Sequence, residues 1–260
     1  MTQREDLSGL EHDVREHPER VHLGPDYAAE LEPAAHRVEG EWIRDATLGA
    51  NDGLVSILTL LAGVAGADVS PSTVLIAGLA GLVAGAISMG VGAYVSAKAY
   101  RSYYRAELRK EVEEMREKPD VEREEVREIY QERGFEGELL ERVVDRITSD
   151  PRVWLKVMMS EELGLSPQFG RPFGAAVVVF VAFLIGGAVP VAPFLVAEGL
   201  TALVASFLVT AVALMIAGGI RSRYTGERTL TAGLELVGMA AIGVGAAHLI
   251  GRLVGVAVPG

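Results

Sequence analysis

The stretch Ala50–Gly63, ANDGLVSILTLLAG, sets an aspartate at the head of a run that is otherwise apolar. Followed outward, the run covers 46–67, about the ~20 residues a helix needs to cross a bilayer core. Four more runs of similar length follow at 73–97, 172–190, 194–218 and 230–256. Half of the 260 residues are apolar, yet the net charge is -11, because the charged residues are concentrated outside the runs. A soluble core does not require that segregation and a bilayer does. The pattern predicts an all-α chain whose five spans form a helical bundle.

Orientation follows from the basic residues. The links 67–71 and 189–193 carry no Lys or Arg, whereas Arg221, Arg223 and Arg228 fill the link between the fourth and fifth runs, and Arg37 and Arg44 precede the first. This places the N-terminus, the long middle segment and the 219–229 link in the cytoplasm and the C-terminus opposite. The expected divisions are a polar arm (1–41), spans one and two (42–97), an inserted cytoplasmic helical domain (98–171) and spans three to five (172–260). The arm lacks the pattern of a cleaved signal, so insertion is expected to rest on the first span. The preference for Arg over Lys suggests a GC-rich prokaryotic genome, and with it a plasma membrane rather than a vacuole.

Several function classes fall away. An acidic chain without unanswered basic clusters does not suit nucleic acid. With no cysteine, disulfides and thiolate sites are excluded. There is no P-loop, nucleophile elbow or zinc-protease helix, so no enzyme and no permanent cofactor is expected.

The middle segment is dense in charge but retains helical periodicity. Stripes fall at Leu108, Val112 and Met115, at Val126, Ile129 and Tyr130, at Leu139, Leu140, Val143, Val144 and Ile147, and at Val153, Trp154, Val157 and Met158. Breaks are expected at Pro119, at Gly134 to Gly137 and at Asp150-Pro151, the first and last with an acid suited to capping. Three or four helices result, the first continuous with the second span.

Asp52 is the first chemical candidate, since a carboxylate at membrane depth costs roughly 2.5–3.5 kcal/mol and marks an ion or proton route. Asp45 also fits a helix-start carboxylate. Asn51 and Ser56 offer oxygen ligands, and Met89 a thioether that is otherwise ordinary packing. In the insert, Glu111 and Glu114 share a helix face, Glu122 and Glu125 repeat that spacing beyond Pro119, and the two pairs could converge. Met158, Met159 and Glu162 add two thioethers and a carboxylate, a mixture suited to a transition metal such as Fe²⁺. Spacing alone leaves open a plain solvated surface. His12, His17, His22 and His36 do not share a helical face, His248 reads as a packed polar residue, and Glu235 is open to three roles, snorkelling to the interface, pairing with a basic residue of the 219–229 link, or lining a path.

Together RDATLGANDGLVS (44–56), GAISMGVGAYVSAKA (85–99), the Glu-rich insert, WLKVMMSEELGL (154–165) and PFGAAVVVFVAFLIGGAVPVAPF (172–194) resemble the vacuolar iron transporter family. The resemblance runs from about Trp42 to the C-terminus. It implies a proton-coupled exporter of Fe²⁺, with Mn²⁺ as a second cargo, working as a homodimer with the path along the subunit interface. Asp45, Asp52 and Met89 would line that path, and Glu111, Glu114, Glu122, Glu125, Met158, Met159 and Glu162 would bind metal in the insert. Ala93 stands where many members carry glutamate, which removes one intramembrane carboxylate. The rival readings are a membrane-anchored metal sensor or storage partner, which has no use for Asp52 inside a span, and a passive cation channel, which has no proton dependence.

Overall fold

The computed structural model describes residues 9, 12, 34–165, 171–225 and 228–257. Most of the arm, with His17 and His22, lies outside the described residues. Two compact units are present, Val38–Ser96 with Gly170–Gly260 and Met1–Arg37 with Ala97–Phe169.

Among the described residues, the first unit holds five helices long and apolar enough to cross a membrane. They are α1 (Ala34–Gly66), the first part of α2 (Pro71–Glu117), α6 (Pro172–Val191), α7 (Gly199–Thr225) and α8 (Thr229–Ala257). Small residues set how closely they pack, as expected where hydrophobicity cannot drive association in lipid. At the crossing of α1 and α6, a Cβ on Gly53 would lie 2.8 Å from the Gly187 nitrogen, and Gly186 in turn has room for nothing but the backbone of Ala50. Phe183 and Phe194 are the largest buried side chains in the apolar cluster shared by α1, α2, α6 and α7.

The fourth span begins at Gly199, five residues later than the apolar run that starts at 194. Hydropathy does not stop at the end of α6, but the backbone does. Pro190 lies inside α6, a 3₁₀ turn follows over Ala192–Leu195, and Gly199 adopts φ +59°. The carbonyl of Pro190 has Pro193 three residues on, which carries no N–H, and Ser206 Oγ of α7 donates to it at 2.7 Å instead. In a membrane such an orphaned carbonyl must be satisfied from within the protein.

In the second unit, α2 continues unbroken to Glu117, followed by α3 (Pro119–Glu132), α4 (Gly137–Thr148), α5 (Pro151–Val157) and a π turn over Met158–Glu162. The breaks fall at the predicted prolines and glycines, with Gly134 and Gly137 at positive φ. Asp150 caps α5 by accepting from the backbone N–H groups of Arg152 and Val153. The acid at the other break does not cap: Lys118 occupies the N-cap of α3, without a side-chain bond, and Asp120 lies in the first turn. The predicted stripes converge on one core of Leu108, Val112, Met115, Val126, Val144, Trp154 and Met158. Leu139 is instead exposed, because it sits one residue before the buried face that begins at Leu140, and Leu155, absent from the stripes, is fully buried. Arg123 ties α3 to α4 through Thr148 and Asp145, and Arg127 does so through Glu141.

Candidate functional site

Glu111 and Glu114 lie one turn apart near the end of α2, and Glu122 and Glu125 one turn apart on α3. Glu111 is 2% exposed and Glu122 4% exposed, and one oxygen of each, Oε2, is buried without a hydrogen-bond partner. Leaving a buried carboxylate oxygen unpaired is expensive. The carboxyls respond by holding their protons. Burial first, then the charges of Glu162, Glu122 and Glu114, pushes Glu111 up to about 7, and burial followed by Glu125, Glu114 and Glu162 does the same for Glu122. Glu162 is raised as well, by burial and then by Glu125. These mutual fields place Glu111, Glu114, Glu122, Glu125 and Glu162, from α2, α3 and the π turn, within electrostatic range of one another. The cation within their field is Lys110, bonded to Glu114 at 3.2 Å.

The π turn is what brings Glu162 to this group. Leu163 N donates to Met158 O across five residues, Leu165 N donates to Met159 O, and Gly164 closes the turn at φ +61°. One extra residue per turn rotates the downstream side chains relative to an α-helix, and such insertions are frequent at functional sites. Met158 and Met159 are buried beside it in the core of the unit. On the far side of the turn Arg133 pairs with Glu161 and lies 5.2 Å from the ring centre of Tyr130. Neither the π turn nor the Arg133 link was legible in the sequence, since both arise from register and not from residue type.

Among the described residues, no three His, Asp or Glu side chains are gathered as a metal-ligand group. The buried, unpartnered oxygens of Glu111 and Glu122 are the part of the cluster that fits a cation.

In the spans, Asp52 accepts a 2.9 Å hydrogen bond from Ser56 Oγ, and Asn51 Oδ1 is buried without a partner. Asp45 pairs with its neighbour Arg44 at 3.2 Å. Asp45 and Asp52 are seven residues apart and therefore share a face of α1. That face, continuing through Ser56 and Leu60, is partly or fully exposed, while Gly49 and Gly53 turn inward to α6. Met89 packs against the apolar cluster of Leu82, Ala86 and Phe183, so the polar bond of Asp52 is to Ser56 and not to Met89. His248 shares a hydrogen bond with the carbonyl of Ala62, the packed role expected of it, and Glu235 is bonded to Arg221 at 2.9 Å.

The family model described as "VIT family" matches residues 43–252, through both units. The chain belongs to the VIT family. Relatives in this family include Vacuolar iron transporter 1 of Tulipa gesneriana, 36% identical over 84% of this chain and 90% of that protein. Vacuolar iron transporter 1 of Arabidopsis thaliana is 38% identical over 84% of this chain and 88% of its own length. Vacuolar iron transporter of Plasmodium falciparum is 31% identical over 78% of each. The VIT match takes in all the carboxylates and thioethers described above and begins after the polar arm.

Proposed function

We propose that the protein is a transporter that carries ferrous iron, and manganese as a second cargo, out of the cytosol in exchange for protons. The observation that carries this reading is the cluster of Glu111, Glu114, Glu122, Glu125 and Glu162, with two buried oxygens lacking partners, in a chain of five apolar helices similar to proteins named as iron transporters. No enzymatic step is part of the reading.

In this account Glu111, Glu114, Glu122, Glu125, Met158, Met159 and Glu162 collect the cation on the cytoplasmic side. An arriving divalent ion displaces the protons of Glu111 and Glu122 and draws the carboxylates together, since its charge favours their ionised forms. Asp45, Asp52 and Met89 then form the route through the bilayer. Asp52 holds either a proton or a cation, and competition for one carboxylate couples the two fluxes. The open face of α1 supports a homodimer: a carboxylate turned to lipid is costly, and a second copy placed against Asp45, Asp52 and Ser56 would convert that face into an enclosed path. Ala93 supplies no second carboxylate there.

The test is Fe²⁺ uptake into proteoliposomes with and without an imposed pH gradient. Uptake that depends on an acidic lumen supports exchange. Equal uptake without the gradient indicates a passive channel, and no uptake under either condition indicates an anchored metal-binding protein.

A further inference from the structure

Leu208, Val212, Ile216 and Ile220 recur every four residues on α7 and so form one ridge, and all four are more than half exposed. With Leu234 and Val237 of α8, this ridge borders an open groove of about 700 Å³. Its depth comes from close approach of the helices: a Cβ on Gly218 would lie 2.6 Å from the Cα of Gly233. One end of the groove is wholly apolar. The other is polar, formed by Gly219, Arg223 and Thr229, with Ser222 Oγ donating to the Gly219 carbonyl and bonded to Thr229 Oγ1 at 3.0 Å. Arg221 is engaged by Glu235, whereas Arg223 and Arg228 are exposed and not ion-paired among the described residues.

The dimensions match half a bilayer. From Leu208 to Arg223 the helix rises about 22 Å at ~1.5 Å per residue. A single leaflet supplies about 15 Å of hydrocarbon and roughly 5–7 Å of headgroup region. With Arg223 at headgroup level, Leu208 therefore lies near the midplane.

We propose that this groove is a binding site for one anionic phospholipid of the leaflet on the Arg223 side. An acyl chain lies along the ridge from Ile220 to Leu208, and the phosphate is held by Arg223, with Arg228 adding positive potential beside it. The preference for a net anionic headgroup follows from the basic balance of the 219–229 link, whose sequence carries Arg221, Arg223 and Arg228 against Glu227, with Arg221 engaged by Glu235. This site is separate from the carboxylates assigned to metal and does not depend on the transport reading.

The test is native mass spectrometry of the full-length protein released from micelles doped with phosphatidylglycerol or phosphatidylcholine. The wild type is expected to retain one phosphatidylglycerol in preference to phosphatidylcholine. Juxtamembrane basic residues contribute about fivefold each to anionic-lipid affinity, so the double variant Arg223→Ala with Arg228→Ala should lose roughly 25-fold. Ile216→Trp, which fills the groove and leaves the arginines in place, should also abolish retention while the protein elutes and melts as the wild type does. Unchanged phosphatidylglycerol retention in both variants would overturn the proposal. Because the chain lacks cysteine, Ile216→Cys gives a clean single thiol. Spontaneous disulfide-linked dimers of that variant in vesicles would show a second copy in the groove, which also overturns it, whereas a monomeric thiol supports lipid.

Discussion

Cation binding to the insert is expected to be steeply proton-linked, and its pH range can be worked from the carboxyl environments. Glu111 and Glu122 are each held at about 7 against the usual 4.5, chiefly by burial and then by neighbouring carboxylates. Near pH 6 both are mostly protonated in the metal-free protein, so an entering divalent ion must expel two protons. Each expelled proton contributes a tenfold change in affinity per pH unit, giving about 100-fold between pH 5 and 6 and a curve that flattens above about 8. The measurement is anaerobic titration calorimetry of the full-length protein with Fe²⁺, in an Asp52→Asn background expected to silence the proposed path. Paired buffers of different protonation heat report the protons released per ion. About two protons are expected near pH 6, and Glu122→Gln should bring the release to about one and weaken binding at pH 8, where a ligand has been lost. Affinity that is flat across this range, with no proton release in either protein, would refute the assignment of the buried carboxylates as the cation site.

The same shifts set the stability of the metal-free protein. A carboxyl whose folded pKa is raised from 4.5 to about 7 contributes stability that is fully present below 4.5 and is lost as pH rises through 7. Glu111→Gln should therefore stabilise the metal-free protein at pH 8 by up to about 1–3 kcal/mol, since coupled carboxyls share the penalty, and leave stability unchanged at pH 4.5, as the melting temperatures of both proteins would show. Gly53→Ala should cost about 1–3 kcal/mol through collision with the backbone of Phe183 and Gly187, visible as a lower melting temperature in detergent, and a neutral result would contradict the close α1–α6 crossing. Asp150→Ala removes the cap of α5 and should cost about 1 kcal/mol, while Asp150→Asn, which can still accept, should retain most of that stability.

The five spans were legible because a bilayer imposes a length and a composition that survive in a single sequence. Helix breaks at Pro119, Gly134, Gly137 and Pro151 were legible because proline and glycine constrain the backbone whatever surrounds them. The start of the fourth span was not, since Phe194 to Ala197 is as apolar as the helix that follows and only the backbone, with a 3₁₀ turn over Ala192–Leu195 and Gly199 at positive φ, separates it. In the candidate site, helical spacing placed each glutamate pair on one face and raised their convergence as an open question. Which oxygens are buried and unpartnered depends on how α2, α3 and the π turn pack, and spacing carries no record of that. The same holds for Met89: its position in the second span was readable, but its packing against Phe183 and away from the hydrogen bond of Asp52 was not.

The central claim is that one carboxylate, Asp52, trades a proton for a metal ion. The most direct measurement follows lumenal pH and iron together in proteoliposomes with an acidic interior, comparing the wild type with Asp52→Asn. The lumen of wild-type vesicles is expected to alkalinise in step with Fe²⁺ entry. Asp52→Asn is expected to abolish both fluxes while the insert still binds the ion in calorimetry. Iron entering through Asp52→Asn at the wild-type rate, or entering the wild type with no change in lumenal pH, would contradict that claim.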